Sequence, residues 1–152
     1  MKPFALLLRV LLGLDLLLNG INFWLDFLPI TTPASETARG LMAGLVNAGL
    51  FTIVKYIEIA ASLALLTNRF VPLALIVMFP LTVVIFWTDC ILINTPEGWL
   101  YGGTTSLLHV LLLFVYLKHY MPLLAFKANP GWPDAEEWRR VLSPSGRDSS
   151  LG

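Results

Sequence analysis

Charge is scarce in this chain. Only 13% of its 152 residues are Asp, Glu, Lys or Arg, where a soluble domain carries roughly 25%. Ten basic and ten acidic side chains cancel to a formal net charge of zero. That balance excludes the electrostatic footprint of a nucleic-acid binder or of a receptor for strongly acidic ligands. Cysteine is scarcer still. The single Cys90 excludes an internal disulfide and any multi-cysteine metal site within one chain, and reads as an inert buried thiol. Of the two histidines, only His109 falls inside an apolar stretch, so a bis-histidine haem lacks its second ligand there. No metal site is expected. Flavin, haem and iron–sulfur motifs are lacking, as is any recognisable arrangement for nucleophilic catalysis.

Apolar residues are what the chain has in plenty: 57% of the total, with a mean hydropathy of +0.75. A hydrocarbon layer about 30 Å thick needs about 20 mostly apolar residues in a helix rising 1.5 Å per residue. Four stretches qualify: Phe4 to Leu28, Gly44 to Leu66, Phe70 to Ile93 with Pro72 in its first turn, and Trp99 to Tyr120. The expected fold is all-α: a membrane-embedded four-helix bundle over residues 1–122, then a short cytoplasmic tail, 123–152. The first segment reads as a retained helix, not a cleaved signal, because Arg9 and Asp15 interrupt its apolar core and no A-x-A follows.

Orientation follows from basic residues in short loops. Lys2, Arg69, Lys118, Lys127, Arg139, Arg140 and Arg147 fall on one side of a four-span layout and Arg39 alone on the other, which places both termini in the cytoplasm. Trp24, Trp87, Trp99 and Tyr101 fall near the outer ends of spans, where an interfacial aromatic belt belongs. In the connectors, "SETARG" offers a helix start with Ser35 as N-cap. The tail turns polar from Lys127. "PDAEEWRRVL" within it reads as a short amphipathic helix, acidic early and basic late, as the helix dipole favours, with Trp138, Val141 and Leu142 able to dock on a membrane surface. "SPSGRDSSLG" has the composition of a disordered end.

One polar pattern cuts across the apolar background. In "LLLRVLLGLDLLLNGINFWLDFL", Asp15, Asn19, Asn22 and Asp26 recur at i, i+4, i+7 and i+11, within about 60° of one another at 100° per residue. Arg9 stands about a third of a turn off that line and can snorkel to the interface. A charge at mid-bilayer costs at least about 2.5 to 3.5 kcal/mol, so the stripe must face the bundle interior and find partners. Matching depths along the spans supplies candidates. Asp15, Lys55, Glu58 and His109 fall at one level, roughly 12 to 17 Å in, and Lys55 and Glu58, three apart, can pair directly. Thr52 and Ser62 flank them. Thr105, His109 and Tyr116 share a face of the last span, with Tyr116 at the depth of Arg9. Asp26 and Asp89 share a second, outer level. The candidate ligand-binding or proton-exchanging residues are therefore Arg9, Asp15, Asn19, Asn22, Lys55, Glu58, His109 and Tyr116, with Asp26 and Asp89 as a secondary cluster. A purely structural network of buried polar pairs is the competing reading. Pro80 should free the carbonyl of Ile76 and bend its helix. "GLMAG" and "GWLYG" contain G-x-x-x-G at span ends, where close packing or simple turns serve equally well.

The segment "LLRVLLGLDLLLNGINFW" resembles the opening helix of DoxX-family membrane proteins, with Arg9, Gly13 and Gly20 matching. "IEIAASLALLTNRFVPLALIVMFPL" resembles the family's junction of second and third helices, with Glu58, the "NRF" turn and Pro72 in register and Ser62 where a glycine-like residue is expected. The resemblance spans about Phe4 to Tyr120. It implies a four-helix protein of a bacterial inner membrane, linked to membrane redox complexes, with a quinone as the associated cofactor, a redox subunit as partner and self-association as a further arrangement. Asp15, Asn19, Lys55 and His109 rest on depth matching alone. A small-solute or proton transporter and a scaffold without site chemistry are the alternatives.

Overall fold

The computed structural model describes residues 2–28, 35–124 and 131–142. Within them every regular element is helical. Helix α1 spans Lys2–Leu25, α2 Glu36–Asn47 and α3 Leu50–Leu66. Helix α4 runs Val71–Ile93 and α5 Pro96–Val115. A short α6, Ala135–Leu142, lies in the separate unit Pro122–Gly152. The readings made for Pro29, Lys127 and "SPSGRDSSLG", and for the side chains of Val141 and Leu142, lie outside what is described.

Four helices close a ring. Helix α1 packs on α3 and α5, and α4 packs on the same two from the opposite corner. Leu8, Leu12 and Leu16 from α1, Ala61 and Leu65 from α3, Leu75 and Met78 from α4 and Leu112 from α5 fill the centre. On α1 these leucines lie on the same side as Asp15, Asn19 and Asn22, since steps of three, four and seven residues return to one face at 100° per residue. The inward face of α1 is thus apolar in its first half and polar in its second. Gly13 and Gly20 let α3 approach closely. A Cβ at Gly13 would sit 2.9 Å from Leu66, and one at Gly20 2.7 Å from Ile59.

The second expected span is broken. Ser35 caps α2 as its sequence suggests, its hydroxyl accepting from the Ala38 amide at 3.1 Å. The chain then turns by 82° before α3. Gly49 makes the corner with φ of +72°, a conformation glycine adopts without penalty. The 17 residues of α3 rise roughly 25 Å, short of a full bilayer core. Three helices (α1, α4 and α5) are long and apolar enough to cross a membrane, and four if the bent α2–α3 pair counts as one span. The last span also ends earlier than expected, at Val115.

Helix α4 starts on Pro72 at its first turn and carries Pro80 within. From Trp87 to Ile93 its hydrogen bonds lengthen to the π-helical pattern, and Trp99–Gly103 at the start of α5 does the same. The two wide segments face each other across the Asn94–Thr95 turn, where Trp99 Nε1 donates to Asn94 Oδ1 at 3.1 Å and Thr95 Oγ1 accepts from Gly98 N at 3.2 Å. Such segments turn up often at functional positions in helices. Cys90 is buried there as a free thiol. Trp24, Trp87, Trp99 and Tyr101 are all exposed.

Candidate functional site

The site grows from one local pair. Lys55 and Glu58, a turn apart on α3, form an ion pair at 2.7 Å. Glu58 is 2% exposed, so its charge is held inside the bundle and Lys55 is its compensation. The Lys55 ammonium also lies 5.0 Å from the centre of the Phe51 ring, a cation–π contact that helps desolvate it.

Asp15 reaches this pair from α1. It interacts electrostatically with both Lys55 and Glu58. Its carboxylate is held from two sides: Asn19 Nδ2 donates to Oδ1 at 3.2 Å, and Thr105 Oγ1 on α5 lies 2.5 Å from Oδ2. Asp89 enters from the π-helical end of α4, where Lys55 and Glu58 are its electrostatic partners. The "GWLYG" motif seats it. A Cβ at Gly98 would lie 2.4 Å from the Asp89 carbonyl oxygen, and one at Gly102 would lie 2.5 Å from its Cβ and 2.7 Å from Oδ2. By contrast, a Cβ at Gly40 or Gly44 of "GLMAG" would meet nothing within 4 Å. The two motifs look alike in sequence, but only the second is a close contact.

Five members of the expected set belong elsewhere: His109, Asn22, Asp26, Arg9 and Tyr116. His109 does not join Asp15, Lys55 and Glu58. Its Nε2 lies 3.0 Å from the Leu75 carbonyl and its Nδ1 2.5 Å from Thr82 Oγ1, both on α4. A carbonyl only accepts, so Nε2 carries a proton, while the Thr82 hydroxyl that meets Nδ1 also lies 3.0 Å from the Met78 carbonyl oxygen. Depth matching failed here because α5 touches both α1 and α4. Thr105 and His109, about 40° apart at 100° per residue, turn to different neighbours. Asn22 is committed to the backbone: Leu28 N donates to its Oδ1 at 2.6 Å and its Nδ2 donates to Leu28 O at 3.3 Å, closing the end of α1. Asp26 is exposed, with φ of +47°, and it is not among the electrostatic partners of Asp89. The secondary outer pair does not form.

Arg9 donates from Nη1 to Asn68 Oδ1 in the α3–α4 turn, while its Nε is buried without a partner. Tyr116 packs on the apolar core, its ring 5.8 Å from that of His119. The partners Thr82 and Asn68, and the glycine seat of Asp89, were not anticipated. The seat had a signal in its G-x-x-x-G spacing. Thr82, one polar residue in a run of apolar ones, had none that distinguished it.

A groove of about 400 Å³ opens between α4 and α5, walled by Phe79, Val83, Phe86 and Val110 with Thr82 and His109 in its floor. It is apolar, and its polar floor atoms are already bonded. Among the described residues no group of three or more His, Cys, Asp or Glu side chains converges closely enough to hold a metal ion.

The chain is therefore an all-α bundle, and its three or four apolar helices suggest an integral membrane protein. No family model, no curated protein and no solved structure matches it.

Proposed function

We propose that this chain is a DoxX-type integral membrane protein acting as a small accessory subunit of a quinone-linked membrane redox complex. In this reading Asp15, Lys55 and Glu58 exchange protons beside the quinone head group. The observation that carries it is the buried Lys55–Glu58 ion pair under the electrostatic reach of Asp15 on a second helix. A structural pair needs no further ionisable neighbour, and intramembrane ionisable groups are costly enough to imply a task. The redox partner and the bacterial inner membrane, with both termini cytoplasmic, are supported by the resemblance of "LLRVLLGLDLLLNGINFW" and by the distribution of basic residues. Electrons must come from the partner, since the sequence has no carrier motif of its own.

Purification from membranes in mild detergent, followed by quinone extraction and identification of co-purified proteins, tests this. Wild-type protein should retain quinone and an oxidoreductase subunit, and Asp15→Asn and Glu58→Gln should lose the quinone. Wild-type protein free of both would overturn the reading. A proton or small-solute carrier is the second reading. It is favoured by Asp89, which extends the charged group towards the α4–α5 turn. Flux into liposomes that requires Asp15 and Asp89 but no redox partner would establish it instead.

A further inference from the structure

Charge is unevenly placed along the unit Met1–Met121. Of its acidic residues, Asp15 and Glu58 lie within the bundle. Asp26, Glu36, Asp89 and Glu97 belong to the end formed by α2 and the α4–α5 turn. The opposite end, where α3 turns into α4, carries Arg9, Arg69 and Lys118 and, among the described residues, no carboxylate. Lys118 belongs there because Tyr120, two residues on, donates its hydroxyl to the Pro72 carbonyl at 3.2 Å.

The α3–α4 turn is fixed by its own backbone. Asn68 N donates to the Leu65 carbonyl at 3.2 Å and Arg69 N to that of Ala64 at 3.0 Å, the paired bonds of a Schellman motif. Asn68 takes the left-handed position, with φ of +57°, which asparagine adopts more readily than most residues. Its side-chain oxygen accepts from Arg9 Nη1. The turn thus holds the guanidinium in place and presents the exposed Arg69 beside it.

That one bond accounts for little of Arg9. A guanidinium has five N–H donors and no acceptor. Nε is buried without a partner, Nη2 bonds to nothing among the described residues, and no carboxylate pairs with Arg9. An arginine that snorkels to water keeps its donors hydrated; here the Nε edge is enclosed by protein. Arg9 also lies about 10 Å along α1 from its start, and Phe4, Leu6 and Leu7 before it are exposed. Apolar side chains therefore separate it from bulk water, and a cation at that level calls for a partner. The free N–H groups of Nη1 and Nη2 form a fork that matches two phosphate oxygens.

We propose that Arg9 and Arg69, at the α3–α4 turn, bind the phosphate of an anionic phospholipid, with Lys118 adding positive charge at the same end. A phosphate carried on acyl chains reaches a cation walled by apolar residues, and local thinning of the bilayer draws the two together. Basic pockets between membrane helices hold anionic head groups in this way. The proposal rests on the reading of the chain as membrane-embedded and is independent of the quinone role.

Native mass spectrometry of the full chain, titrated in detergent micelles with phosphatidylglycerol, phosphatidylcholine or inorganic phosphate, tests it. A single phosphatidylglycerol should be retained in preference to phosphatidylcholine, whose choline cancels the phosphate charge, and inorganic phosphate should not displace it. Arg9→Gln should weaken retention about tenfold or more, the worth of a charge-assisted hydrogen bond. Arg69→Gln and Lys118→Gln should each weaken it about fivefold. Arg39→Gln, exposed on α2 at the other end, should leave it unchanged. If Arg9→Gln fails to fold, the surface changes Arg69→Gln and Arg39→Gln decide between them. Equal retention of the two lipids, equal losses at Arg39 and Arg69, or retention indifferent to Arg69 or to a folded Arg9→Gln would overturn the proposal. Displacement of the lipid by inorganic phosphate would overturn it too, because the site would then serve a soluble phosphate. Quinone content of the same preparations is measured separately, so this proposal and the redox reading fail independently.

Discussion

Two polar regions lie inside the same bundle, and they differ in how completely each is satisfied. On the α4–α5 side, His109 has both ring nitrogens engaged by Thr82 and Leu75, with no charged group beside it among the described residues. On the α1–α3 side, Lys55 is ion-paired with Glu58 and also lies in the electrostatic reach of Asp15 and, from α4, of Asp89, one cation for three acids. The first ties two helices together. The second has one cation for three acids, the imbalance on which the proton-exchange reading rests. Depth in the membrane is the same argument for both, so depth alone does not identify a site.

That contrast can be broken experimentally, most severely at Lys55. Lys55→Met leaves Glu58 buried without its cation. It should destabilise the bundle by about 3–5 kcal/mol, read by thermal unfolding in detergent micelles. His109→Leu should cost about 1–3 kcal/mol, the range for stranding buried hydrogen-bonding partners. It should leave quinone retention unchanged. If His109→Leu abolishes that retention, the separation of the two regions is wrong. Gly102→Ala presses on the Asp89 side chain and should cost about 1–3 kcal/mol, while Gly44→Ala, which meets open space, should be neutral or stabilising by about 0.5–1 kcal/mol. Equal effects at the two glycines would remove the seat proposed for Asp89.

The smallest effect concerns Tyr120, beyond the last span. Burial, and secondarily the neighbouring Tyr116, push its phenol from its ordinary value of 10.0 up to about 12, and its hydroxyl donates to the Pro72 carbonyl at 3.2 Å. A raised folded value means that the folded state holds the proton more tightly. The associated stability is fully present below about pH 10 and is lost as pH rises towards about 12. Ultraviolet titration of wild type against Tyr120→Phe reads it, and titration of this phenol near 10 would contradict the burial.

What the sequence made legible was whatever depends on neighbours along one helix. The inward stripe of α1, the Lys55–Glu58 pair and the Ser35 cap all follow from spacing or local side-chain chemistry. What it hid depends on azimuth between helices and on departures from ideal geometry. His109 was misplaced because depth carries no information about direction. Asp89 was paired with Asp26 by the same matching of levels at 1.5 Å per residue, a rise that does not describe a chain that becomes π-helical at Trp87. The break at Gly49 was hidden because a glycine inside an apolar run is as readily read as part of a continuous span.

The most direct test is a double-mutant cycle on unfolding free energy with Asp15→Asn and Lys55→Met, run beside the control pair His109→Leu and Lys55→Met. The account predicts a coupling of about 0.5–3 kcal/mol for the first pair, and additivity within about 0.3–0.5 kcal/mol for the second. Additivity between Asp15 and Lys55, or coupling only between His109 and Lys55, would contradict it.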